Sequence, residues 1–139
     1  MKNTVFVLFL SLVLLGLSSC DKMGSQLENQ AYVIKVDSIH MPDTVAAGTS
    51  FAIHFFGIAG SDGCHSFKEF IVSEDSTQLN LLLKGNKIVS EDIACTQALV
   101  MLDGLTYSHK FTLPGRYMIE VTNPGISNFL RRPLVVTAP

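Results

Sequence analysis

The chain has 139 residues, 47% of them apolar and none tryptophan, which is enough for one domain with a single core and too little for two. Its ten basic and twelve acidic residues are interspersed. The basic doublet Arg131-Arg132 is too short to form a phosphate-tracking stripe, so nucleic acid is not expected as a partner.

At the amino terminus Lys2 precedes an apolar run from Val5 to Leu17, broken by Ser11 and Gly16. A bilayer-crossing helix needs roughly 20 apolar residues, whereas about 7 to 15 suffice for the core of a cleavable export signal. The run therefore reads as a signal. It ends Leu17-Ser18-Ser19-Cys20, which resembles the lipobox of bacterial lipoproteins: a branched apolar residue, two small residues and an obligatory cysteine. The resemblance implies cleavage after residue 19 and lipidation of Cys20, with a diacylglyceryl group on sulfur and a further acyl chain such as palmitate on the exposed amine. Each buried methylene contributes about 0.8 kcal/mol, so several chains anchor stably. The implied location is the cell envelope, on the outer membrane or the periplasmic face of the inner membrane, and Asp21 leaves both open.

The mature chain would run from Cys20 to Pro139, with nine basic against twelve acidic residues. Residues 20–30 are polar, lack an apolar period, and read as a flexible tether to a folded domain over 31–139. From Ala31 onward, short apolar or alternating runs are bounded by Gly, Pro, Asn, Asp or Ser, the spacing of an all-β fold. Strands are expected at Tyr32 to Val36, Ser50 to Phe56, Phe67 to Val72, Leu79 to Lys84, Lys87 to Ser90, Ala98 to Leu102, Tyr107 to Thr112, Arg116 to Thr122 and Phe129 to Val136. Phe51, Ile53 and Phe55 alternate as one buried strand face, leaving His54 on the other side. Gly85-Asn86 reads as a hairpin turn, since both residues tolerate positive φ. Pro114-Gly115-Arg116-Tyr117 resembles the tyrosine corner of Greek-key sandwiches, in which a tyrosine opening the penultimate strand bonds back to the preceding connection.

These features predict an immunoglobulin-like antiparallel β-sandwich of about seven to nine strands. With its lipobox, Gly-Cys-His-Ser-Phe, Ala-Cys-Thr-Gln and Pro-Gly-Arg-Tyr segments, the chain resembles the small lipoproteins of unassigned activity found in Bacteroidota. The absence of tryptophan and the position of Cys64, after the second expected strand, depart from antibody-type domains.

Cys64 and Cys95 form an even pair in a chain marked for export, and a disulfide is expected, the alternative being two separately buried thiols. Such a bond would restrict the unfolded chain by roughly 3 to 4 kcal/mol. No catalytic set is expected. A Cys64 thiolate with His65 as base is incompatible with the disulfide, and Ser108, His109 and Asp103 lack a Gly-x-Ser-x-Gly elbow. His40, His54, His65 and His109 are spread singly, so neither a metal site nor a cofactor is expected. The glycine-rich stretch from Gly57 to Ser66 lacks the Lys-Ser ending of a phosphate loop and reads as a flexible connection pinned by the disulfide. Asp62 and His65 in that stretch are the expected binding loop. The function this supports is a non-catalytic binding role at the envelope, toward an envelope protein. A protease inhibitor and a structural accessory subunit are the alternatives.

Overall fold

The structure, a computed structural model, describes residues 28–90 and 92–139; Cys20 and the export segment lie outside them. Among the described residues the chain forms eleven strands and is all-β. They are β1 (Glu28–Val33), β2 (Ser38–His40), β3 (Thr44–Ala46), β4 (Phe51–Phe56), β5 (Ile58–Gly60), β6 (His65–Glu74), β7 (Gln78–Val89), β8 (Val100–Met101), β9 (Leu105–His109), β10 (Gly115–Thr122) and β11 (Phe129–Thr137). The first strand begins at Glu28, three residues inside the stretch expected to be tether.

The larger sheet runs β1-β7-β10-β11-β3, with β6 on the other edge of β7. An antiparallel sandwich was expected, but this sheet is mixed: β10 pairs with β7 in parallel, and β11 with β3. The two strands β1 and β10 share one edge of β7. Residues 78–82 of β7 pair with β10 and residues 84–89 with β1. Where β1 gives way to β10, the chain crosses to the second sheet, β2-β4-β9. The buried side chain of Asn123 fills the break, accepting from Val36 N–H at 2.8 Å and donating to Val36 C=O at 2.9 Å. Asp37 N–H then bonds to Phe56 C=O, joining the edge of β4 that β2 extends.

The second sheet continues, past a bend at Gly57, into the β5–β8 ribbon. Leu102 N–H reaches Gly57 C=O and Gly104 N–H reaches Phe55 C=O across the Leu102–Leu105 turn, and a register shift between Ile58 and Gly60 puts a bulge in β5.

The expected hairpin at Gly85-Asn86 is absent, because β7 runs through both residues as one strand. Gly85 is directly opposite Tyr32, and a Cβ there would lie 2.4 Å from Tyr32 Cζ. Its role is to admit an aromatic ring against the backbone. The tyrosine corner is present: Tyr117 donates its hydroxyl to Leu113 C=O at 3.0 Å. Alternation places Ile53 and Phe55 of β4 against Leu79, Leu81 and Leu83 of β7, Ile119 and Val121 of β10, and Leu134 of β11 in one core.

Candidate functional site

Cys64 and Cys95 are joined by a disulfide across 31 residues of sequence, with Cα atoms 5.3 Å apart. The bond ties the start of β6, in the larger sheet, to the segment preceding β8. Half of the stretch expected to be a flexible connection is strand, since β5 and the start of β6 leave the bend at Gly57 and the loop from Ser61 to Cys64. Gly63 N–H bonds to Thr96 C=O and Ile88 N–H to Cys64 C=O, which clamp that loop to both neighbours.

Asp62 and His65 are brought together. Asp62 Oδ1 lies 2.8 Å from His65 Nδ1 and accepts Cys64 N–H at 3.0 Å. The His65 ring stands edge-on to Tyr32 at 5.4 Å, and its Cβ lies where a Cβ on Gly60 would fall, within 2.0 Å. Tyr32 donates its hydroxyl to Ala59 C=O. Partial desolvation raises the Asp62 carboxyl, but the Cys64 N–H bond, the His65 bond and the charges of His65 and Lys87 outweigh it and hold the group below the ordinary aspartate value. Burial, followed by the Asp62 charge, raises the Tyr32 hydroxyl. Both members of the expected binding pair are half-buried, the His65 side chain 12% and the Asp62 side chain 25% exposed, and their contact braces the loop.

Apolar side chains face outward around this brace. Ile58 and Met101, cross-strand partners in β5 and β8, are 44% and 47% exposed, and Leu99, immediately before β8, is 59% exposed. Ile88 and Val89 at the end of β7, and Ile93 two residues before Cys95, are also exposed. No periodicity announced this surface, because β8 is two residues long and the segment before it has no regular structure.

Ser108 and His109 do not form a catalytic pair. On β9, Ser108 is exposed while His109 is packed between Phe51 and Phe111, so alternation sends them to opposite faces. Among the described residues, the only trio of Cys, His, Asp or Glu side chains with ligand atoms within 4.8 Å of one another is Asp62, Cys64 and Cys95, whose sulfurs are consumed by the disulfide. Elsewhere, an open cleft of about 540 Å³ lies beside β2 and β4, with His40, Asp43 and His54 among its walls. No family model matches the chain, nor does any curated protein or solved structure.

Proposed function

We propose that this chain is a bacterial envelope lipoprotein, cleaved and lipidated at Cys20, whose immunoglobulin-like sandwich has no catalytic role and binds another protein. The observation that carries the reading is the apolar surface around the disulfide, where Ile58, Leu99 and Met101 stay exposed on a backbone that is covalently and hydrogen-bond braced. Contiguous exposed apolar groups on a rigid support favour a protein partner, because desolvating them releases free energy and little chain entropy is lost on docking. The resemblance of residues 17–20 to a lipobox supplies the location, and the interspersed charges argue against a nucleic-acid surface.

A photo-crosslinking residue at Leu99 or Met101, in the full-length protein expressed in its native envelope, should give one discrete adduct. The same residue at Leu113 should give none. Leu113 is more exposed than either but precedes β10, whose first residues lie beyond the start of β7, at the far end from the disulfide. Equal labelling at both ends, or none at Leu99 and Met101, would contradict the contact surface. Persistence of Cys20→Ala in the membrane fraction would contradict the anchor.

A further inference from the structure

His40 and His54 are fourteen residues apart in sequence and directly opposite in the β2–β4 pairing, on the face turned away from the core. Their ring centroids are 6.3 Å apart. Two imidazoles sharing one ion hold their centroids roughly 4.5 to 6.4 Å apart, given a metal–nitrogen bond of about 2.0 to 2.1 Å. The observed spacing sits at the open end of that range, and the exposed His40 ring can close it by rotation about its own side chain.

The second observation concerns the proton on His54. Thr106 on β9 donates its hydroxyl to Gly104 C=O at 2.8 Å, so its oxygen is left to accept from His54 Nδ1, 3.1 Å away. That bond places the ring hydrogen on Nδ1 and the lone pair on Nε2. It also fixes the orientation of the ring, as the outer-shell partner of a metal-binding histidine does. Asp43 lines the same open cleft.

We propose that His40 and His54 form a binding site for a late first-row divalent transition ion, with Thr106 as a positioning residue and copper(II) the tightest-held ion. Imidazole nitrogen suits copper, nickel and zinc, and affinity for a given nitrogen site peaks at copper. Two protein ligands leave the remaining coordination positions to water or to a donor brought by a partner. The site lies on the outer face of β2 and β4, and none of His40, His54 and Thr106 belongs to the disulfide-braced surface, so it does not depend on that surface's role.

The test is a titration of the full-length protein in detergent, disulfide intact, with copper(II), followed by calorimetry and by electron paramagnetic resonance. The expected result is one ion per chain in the micromolar range with a hyperfine pattern from two nitrogens. His40→Gln and His54→Gln, both on the outer face, should each weaken binding at least roughly tenfold and reduce the pattern to one nitrogen; Thr106→Val should weaken it by roughly 10- to 100-fold with both nitrogens retained. Zinc and nickel should bind more weakly at the same residues. Copper binding that survives unchanged in the double histidine variant, or a wild-type signal without nitrogen coupling, overturns the site. Unchanged affinity in Thr106→Val overturns the positioning role.

Discussion

Asn123 and Glu120 are the buried polar or charged residues among those described, and they are satisfied differently. Glu120 pairs with Arg131 across β10 and β11 on the outer face, while Asn123 completes a sheet. Its amide supplies the acceptor and the donor that Val36 loses as β1 leaves β7, a backbone surrogate made from a side chain. Truncation strands two buried backbone groups, so Asn123→Ala should lower the unfolding free energy by about 2 to 4 kcal/mol. Urea denaturation at neutral pH measures this, and a loss below about 1 kcal/mol would mean that water takes over both bonds. Asp62 makes a pH-dependent contribution. Its folded-state pKa is lowered, so its stabilisation is complete above the ordinary aspartate value and is lost as pH falls through the depressed one. Asp62→Asn should therefore be less stable than wild type at neutral pH, with the gap closing in acid; a pH-independent gap would contradict the charge assignment. Some residues were readable from sequence: Tyr117 because its corner is a local motif, and Cys64 with Cys95 because parity and export suggest a bond. The Asn123 contact was not readable, since its partner lies 87 residues away.

At the scale of elements, β7 carries the fold, pairing with β1, β6 and β10. Gly85-Asn86 has the chemistry of a tight turn, but continuous pairing with β1 and β6 outweighs that local preference, and the glycine instead receives the Tyr32 ring. This makes a sign-reversing prediction. In the wild-type background Gly85→Ala pushes Tyr32 off its contact with Ala59 and should cost about 1 to 3 kcal/mol. In a Tyr32→Ala background the clash is gone, and the same change should be neutral or stabilising by about 0.5 to 1 kcal/mol, because alanine has less chain entropy to lose. A double-mutant cycle from thermal or urea unfolding separates the outcomes, and additive effects would remove the aromatic contact as the reason for the glycine. The strands β4, β6, β10 and β11 were legible as apolar or alternating runs of several residues, whereas β7 was read as two strands because Gly85-Asn86 looked like a turn between them. β2, β3 and β5 have three residues each, too few for a period, and with β2 unread the pairing of His40 with His54 could not be seen.

Over the whole molecule, the all-β class was visible in the spacing of turns, but the parallel pairings of β7 with β10 and β3 with β11 were not, since strand direction depends on a path through both sheets. The disulfide joins the larger sheet to the segment leading into the β5–β8 ribbon. Two accounts of what it does can be separated. If the bond acts on the unfolded chain, closing a loop of 31 residues contributes about 3.5 kcal/mol, and its removal leaves the native loop in place, held by Gly63 to Thr96, Ile88 to Cys64 and Asp62 to His65. If it acts on the native state, the loop loosens without it. The density of hydrogen bonds around Cys64 favours the first account. In Cys64→Ala/Cys95→Ala, therefore, the urea midpoint should fall and the denaturant slope should rise as the unfolded chain expands. The exchange protection of the Gly63 and Ile88 amides should drop no further than global stability does. Selective loss at those two amides would instead assign the bond a native-state role, and the apolar surface around Leu99 and Met101 would then depend on the oxidised cysteines for its shape.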